Sequence, residues 1–180
     1  MAERRTLIYV LGAALVGLTA GCLVAWFAIT GDDRSGASAT RQEPVGMGTS
    51  VDLGNGWSVT VNSADTDADA EVAAAEEFNE PPAGGKRYVV VNLSATNVGD
   101  RPDTPEVEAS LFGSSGVEHD GGNLVTPPEP RFDTVAELEP GGSTEGNLVF
   151  IADVDETDLL LRLQPLIEVG GNRAWVALDG

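Results

Sequence analysis

Residues 6–30 form an uninterrupted stretch without a charged side chain, preceded by two arginines and followed by two aspartates. Its apolar part, residues 7–29, would be roughly 34 Å long as a helix, enough for the ~30 Å hydrocarbon core of a bilayer. The stretch therefore predicts a transmembrane helix at residues 7–29. Because arginine is retained on the cytoplasmic side, residues 1–6 are predicted to lie inside and everything after the helix outside.

Two other interpretations of the N-terminal region stay open. Residues 18–22 resemble a bacterial lipobox, in which Cys22 is lipidated, although Thr19 stands where leucine is usual and an apolar segment follows the cysteine. A cleaved secretory signal is the third interpretation, with small residues at 37–39, but its apolar region normally has only about 7–15 residues. All three interpretations place the following domain outside the membrane.

The charge of the chain limits its partners. From residue 31 onward there are 8 basic and 28 acidic residues, a net charge of −20 within a chain of −19. Nucleic acid and anionic lipid headgroups are poor partners for such an acidic surface. The charge therefore excludes a nucleic-acid-binding function and otherwise favours solubility.

Cys22 is the single cysteine of the chain, so no intramolecular disulfide can form. An extracellular domain without crosslinks depends on its own hydrophobic core, which excludes the small disulfide-rich scaffolds. Cysteine nucleophiles and cysteine-ligated zinc are excluded in the same domain.

The chain divides into a linker and one domain. Residues 30–48 are rich in small and polar residues without a hydrophobic period, which predicts a flexible linker. From residue 49 to residue 180, short segments alternate with period 2 and are separated by glycine, proline, asparagine and aspartate, which is typical of strands. The first predicted strand begins at Trp57. The further predicted strands cover residues 86–98, 107–112, 134–138, 144–151, 158–163 and 173–178.

About eight strands and one short helix, predicted at residues 69–78, indicate an all-β domain. This pattern predicts an immunoglobulin-like β-sandwich ectodomain. The cysteine and tryptophan spacing of antibody domains is absent.

Five segments of the chain resemble an immunoglobulin-like family of domains of unknown function. They are residues 85–100 (GKRYVVVNLSATNVGD), 138–143 (LEPGGS), 146–150 (GNLVF), 159–165 (LLLRLQP) and 78–82 (FNEPP), the last resembling the actinobacterial branch. The resemblance implies a surface lipoprotein or single-span protein of Gram-positive bacteria, similar in fold to a secreted mycobacterial immunoprotective antigen. It implies no catalytic residues, because the family has no agreed reaction and a fold does not define a function.

One acidic segment has the spacing of a calcium-binding loop. Acids at loop positions 1, 3, 5, 7 and 12 supply the oxygen ligands that calcium prefers; they are Asp65, Asp67, Asp69, Glu71 and Glu76. Ala70 stands where such a loop needs glycine, and a strand precedes the segment where a helix is expected. Calcium binding at these acids is one hypothesis, and a solvated loop leading into a short helix is the other.

Catalytic signatures are weak. His119 is the single histidine, and its candidate partners Ser114, Ser115 and Asp120 lie too close in sequence for a triad, whose members normally converge from separate elements. Residues 113–116 are predicted to form a hairpin turn, since no helix pattern follows them as in a nucleophile elbow. No enzymatic activity and no cofactor other than calcium are predicted.

The sequence predicts a single-pass protein whose extracellular domain is a non-catalytic binding or interaction module at the cell envelope. Its partners are the membrane, through the N-terminal helix, and an envelope protein or ligand of unknown identity. A calcium-stabilised module is the alternative. A hydrolase with an acidic pocket and a perturbed carboxylate is the second alternative.

Overall fold

The period-2 alternation of the sequence produces strands in the computed structural model, which describes residues 39–119, 121, 125–167 and 171–179. These residues form nine strands and one helix: β1 Val45–Gly46, β2 Ser50–Asp52, β3 Trp57–Asp65, α1 Asp69–Ala75, β4 Lys86–Asn97, β5 Val107–Phe112, β6 Glu118–His119, β7 Ser143–Asp153, β8 Leu160–Pro165 and β9 Ala174–Ala177.

The strands form two sheets. The five-stranded sheet has the order β1-β9-β8-β5-β6, and the four-stranded sheet has the order β2-β3-β4-β7. Neighbouring strands are antiparallel except β1 and β9, which are parallel. The predicted two-sheet β-sandwich is therefore confirmed.

The strand order of the four-stranded sheet differs from that of an immunoglobulin domain. Immunoglobulin domains place their strands B and C in different sheets. Here the consecutive strands β3 and β4 are antiparallel neighbours in one sheet, connected through α1. The longest strand, β4, consequently lies between β3 and β7.

Alternate residues of the strands fill the space between the sheets. Trp57, Val59 and Val61 of β3 are fully buried there, together with Leu161 and Leu163 of β8. Each such side chain contributes about 1.5–3 kcal/mol relative to an exposed position. This core stabilises the domain without any crosslink.

Helix α1 covers part of the outer face of the four-stranded sheet. Val72 of the helix and Ala68 just before it are buried against Tyr88, Val90 and Val149. The helix predicted at residues 69–78 is confirmed in position but ends at Ala75, because the backbone at the next residue is extended. The outer face of this sheet thus carries a second, smaller hydrophobic cluster.

The strand predicted at residues 134–138 is wrong. The side chain of Asp133 accepts hydrogen bonds from the backbone N–H groups of Val135 (2.8 Å) and Ala136 (3.0 Å), which turns the chain. Val135 is 81% exposed, and only Leu138 pairs, in an isolated bridge with Asp103. An aspartate turn therefore replaces the predicted strand.

The domain begins before the predicted boundary at residue 49. Ala39 is buried in the main core, and Val45 and Met47 pack against it. The backbone carbonyl of Ala39 accepts a hydrogen bond from Trp175 N–H at 3.2 Å, and Val45 pairs with Val176 of β9. Residues 39–48, predicted as linker, therefore belong to the sandwich.

Among the described residues, no helix is both long and apolar enough to cross a membrane. The predicted transmembrane helix at residues 7–29, the lipidation candidate Cys22 and residues 30–38 of the predicted linker lie outside the described residues.

Removal of β1 tests the corrected domain boundary. A fragment of residues 49–180 lacks Ala39, Val45 and Met47, so its free energy of unfolding should be on the order of 3 kcal/mol lower than that of residues 39–180, because apolar surface is no longer buried. Urea denaturation of both fragments measures the difference. Equal stabilities would show that residues 39–48 are a linker after all.

Candidate functional site

The outer face of the five-stranded sheet carries a cluster of two arginines and two aromatic residues, here called the arginine–aromatic cluster: Arg41, Phe112, Arg162 and Trp175. The Phe112 and Trp175 rings are tilted by 58° with centroids 5.0 Å apart. The Arg41 guanidinium lies 5.3 Å from the Phe112 centroid and 5.4 Å from that of Trp175, and the Arg162 guanidinium lies 5.1 Å from the Phe112 centroid. All three distances are typical of cation–π contacts.

Strand register places these side chains on one face. Arg162 of β8 is directly opposite Trp175 of β9 on one side and Ser110 of β5 on the other. Arg162 donates from Nη2 to Ser110 Oγ at 2.9 Å and to Glu118 Oε1 at 2.8 Å. Since paired residues of neighbouring strands point to the same face, the sheet fixes the positions of Phe112, Arg162 and Trp175.

The cluster has the composition of a protein-binding surface. Tryptophan and arginine are enriched among residues that dominate binding energy, and aromatic residues are enriched in interfaces while lysine and acids are depleted. Arg41 is exposed and Trp175 is partly exposed, whereas Phe112 is buried beneath them. A partner would therefore contact the guanidinium of Arg41 and the edge of the indole.

Arg41, Phe112 and Arg162 belong to no functional motif in the sequence. The sequence does indicate that Phe112 and Arg162 face outward, because they alternate with the inward residues of their strands. The position of Arg41 could not be deduced, since it follows from the docking of residues 39–48 that was predicted to be linker.

A second cluster surrounds a buried carboxylate in the loop between β7 and β8. Glu156 and His119 each have 4% of their side chain exposed, with His119 Nε2 at 3.1 Å from Glu156 Oε1. Glu156 Oε2 accepts from Ser114 Oγ at 3.0 Å and from Ser115 N–H at 2.9 Å, and Oε1 also contacts Ser115 Oγ. These residues are called the Glu156 cluster below.

The β5–β6 turn is shaped around this carboxylate. The hairpin turn predicted at residues 113–116 is confirmed, with a backbone hydrogen bond from Gly116 N–H to the Gly113 carbonyl at 3.0 Å. A Cβ at Gly113 would collide with the Glu156 side chain, which explains why glycine is required there. The backbone N–H of Ser114 also donates to the Thr157 carbonyl at 2.8 Å, so turn and loop are held together.

The cluster brings Ser114, Ser115 and His119 together, but their hydrogen bonds are not arranged as in a catalytic triad. In a triad the histidine lies between the serine and the acid and accepts the serine proton. Here both serine hydroxyls contact Glu156, and the carboxylate lies between them and His119. Asp120 lies outside the described residues.

Hydrogen bonding lowers the pKa of Glu156 from its ordinary value of 4.5 to about 2. The Ser115 side chain makes the largest contribution and its backbone N–H the next, while Ser114 and His119 add smaller ones. Burial acts in the opposite direction, since it disfavours the charged form. Glu156 is therefore ionised inside the folded domain at neutral pH.

The carboxylates of the predicted calcium loop do not converge in the described structure. Asp65 Oδ1 accepts from the Asp67 N–H at 2.9 Å, and Asp69 Oδ1 accepts from the Tyr88 N–H at 2.7 Å. Glu71 lies within α1 and Glu76 follows its end, and these acids form no group of three donor atoms close enough for one ion. Calcium binding stays a prediction that calcium titration would test.

Two surface cavities differ from the acidic pocket expected of a hydrolase. One of about 330 Å³ has a largely apolar lining that includes Val107, Leu148 and Leu166, with Glu108 as its acid. The other, about 370 Å³, contains no acid among its lining residues, which run from Gln164 and Pro165 to residues 171–173. Neither is lined by Glu156.

The two packed, mainly antiparallel sheets define a β-sandwich protein whose loops and outer faces carry its polar and aromatic clusters. Residues 45–174 match the family model described as "Domain of unknown function (DUF4352)". The chain belongs to this family.

Solved structures resemble the chain at low sequence identity. The yjhA protein from Bacillus subtilis is 13% identical, with a TM-score of 0.53, over 75% of this chain and 99% of that chain. An uncharacterized beta-sandwich protein from Clostridium difficile 630 is 12% identical, with a TM-score of 0.49, over 76% of this chain and 93% of that chain. No curated protein matches the chain. At these identities the likeness concerns the fold alone.

The lowered pKa of Glu156 predicts acid sensitivity. Its folded-state pKa lies below its unfolded value, so its ionisation stabilises the fold above pH 4.5 and this contribution is lost as the pH falls toward 2. The free energy of unfolding should fall less steeply between pH 5 and pH 2, both approximate limits, in Glu156→Gln than in the native chain. Urea midpoints across this range, with the exposed neighbour Asp155→Asn as control, measure the effect. Parallel curves for Glu156→Gln and the native chain would contradict it.

Proposed function

We propose that this protein is a membrane-attached, extracytoplasmic interaction module that binds an envelope protein without catalysing a reaction. The observation that carries the proposal is the arginine–aromatic cluster on the outer face of the five-stranded sheet. In a domain with such an excess of acids, the exposed Arg41 guanidinium over two aromatic rings forms a local basic and aromatic surface, while Arg162 below it is paired with Glu118. A partner with an acidic or aromatic contact residue fits this surface.

Membrane attachment is supported by the uncharged N-terminal stretch at residues 7–29 and by the arginines before it. With this orientation, the sandwich lies on the outer side of the membrane, and it uses its outer faces and loops as immunoglobulin-like domains do. Lipidation at Cys22 remains the alternative mode of attachment.

Site-specific crosslinking tests the interaction surface. A photoreactive amino acid at Arg41 in the full-length chain should capture an envelope protein in the cells that produce it. The same substitution at Thr60, on the outer face of the opposite sheet, should not, because that position lies outside the arginine–aromatic cluster. Equal capture at both positions, or none at Arg41, would refute this surface as the binding site.

Affinity measurements on variants distinguish specific binding at Arg41 from a crosslink formed by chance proximity. The captured partner should bind the full-length protein at least tenfold more weakly after Arg41→Ala. This loss of about 1.4 kcal/mol is the size expected for a partly desolvated cation–π contact. Arg101→Ala, a change at another exposed arginine, serves as the matched control.

Membrane attachment has its own experiment. The full-length chain should sediment with membranes and resist carbonate extraction, and deletion of residues 1–38 should release it, because the apolar stretch is then absent. Metabolic labelling with a fatty acid, compared between native chain and Cys22→Ser, distinguishes a retained helix from a lipid anchor. Recovery of the full-length chain in the soluble fraction would contradict attachment.

A further inference from the structure

Glu156 and His119 of the Glu156 cluster lie beside a third residue of a metal-ligating type, Asp153. His119 comes from β6, Asp153 from the end of β7, and Glu156 from the loop that follows. One ligand atom from each lies within 4.8 Å of the other two. We propose that these three residues bind a divalent transition-metal ion of the zinc type, independently of the arginine–aromatic cluster.

The distances suit a tetrahedral ion. Zinc bonds to imidazole nitrogen and carboxylate oxygen at about 2.0–2.2 Å, so neighbouring ligand atoms in a tetrahedron are about 3.4 Å apart. His119 Nε2 and Glu156 Oε1 are already 3.1 Å apart. Asp153 is partly exposed at the edge of the cluster, and its ligand atom, within 4.8 Å of the other two, would have to move closer to complete the site.

The donor set favours zinc over the hard cations. Calcium and magnesium take oxygen ligands, whereas an imidazole with carboxylates suits zinc and similar ions. Three protein ligands leave a fourth tetrahedral position for water or for a donor from a partner. The site therefore differs in chemistry as well as in location from the predicted calcium loop.

Hydrogen bonds around Glu156 provide the outer shell that such a site needs. Ser114 Oγ and Ser115 N–H both donate to Oε2, which holds the carboxylate in place. Arg87 donates from Nη2 to the Glu156 carbonyl at 2.7 Å and fixes the loop backbone. Partners of this kind orient metal ligands in proteins. Ser115 Oγ also contacts Oε1, and metal binding requires this hydroxyl to rotate away.

Lys86 competes with the ion for Asp153. Its Nζ lies 2.6 Å from Asp153 Oδ1, and the two side chains are 37% and 43% exposed. An ion pair as exposed as this one contributes little stability, so a divalent cation displaces the ammonium group readily. Removal of the lysine charge should consequently strengthen metal binding, which a purely structural role of the cluster would not do.

Isothermal titration of the metal-free full-length protein in detergent with zinc chloride tests the proposal. The native chain should bind one zinc ion at this site, and its melting temperature should rise with zinc concentration, since the ion binds the folded state. Asp153→Asn, a change at a partly exposed position, should weaken binding at least tenfold. Lys86→Met should strengthen it several-fold.

Two control variants distinguish this site from zinc binding elsewhere in the chain. Asp67→Asn removes an exposed acid of the predicted calcium loop and should leave zinc affinity unchanged, and Cys22→Ser should do the same. If His119→Ala does not fold, the zinc affinities of Asp153→Asn and Lys86→Met still show whether zinc binds at this site. The proposal is overturned if no saturable zinc binding occurs, or if Asp153→Asn and Lys86→Met bind zinc as the native chain does.

Discussion

The pairing of β4 with β3 on one side and β7 on the other is the constraint on which the sandwich depends. The twelve residues of β4 span the length of the four-stranded sheet. Val89, Val91 and Leu93 enter the main core, while Tyr88 and Val90 lie beneath α1 on the opposite face. Part of this strand is therefore covered on both faces, which explains its nearly continuous apolar sequence. Without a disulfide in the domain, such two-sided burial supplies the cohesion.

The same pairing assembles the chemistry at one end of the sandwich. The register of β4 with β7 puts Lys86 opposite Asp153, so the first residues of β4 lie beside the loop that carries Glu156. The β5–β6 hairpin reaches this loop from the other sheet, and its strand β6 supplies His119. Groups far apart in sequence thus meet around one buried carboxylate. The arginine–aromatic cluster depends instead on the register of β8 with β5 and β9.

Local patterns in the sequence were sufficient for much of the fold. Alternation predicted β3, β4, β5 and β7 closely, because burial of one face leaves a period in the residues themselves. The helix near Asp69 was predicted from composition, since alanine and glutamate are strong helix formers. At residues 134–138 the propensity for strand was overridden by the Asp133 turn. The Glu156 cluster was beyond reach, since its serines lie more than 40 residues from Glu156 and no local period records such a contact. β1 was missed because two paired residues are too few to show alternation.

The parallel pairing of β1 with β9 also determines how the domain responds to a pulling force. The first and last strands of the described residues lie side by side, with Val45 opposite Val176 and Gly46 opposite Ala177. Because they run in the same direction, tension applied at the two ends of the domain slides one strand along the other. Their hydrogen bonds, together with the one from Trp175 to Ala39, are then loaded in shear and must break together, not one after another. A pairing loaded in this way resists tension more than one that is peeled open from its end.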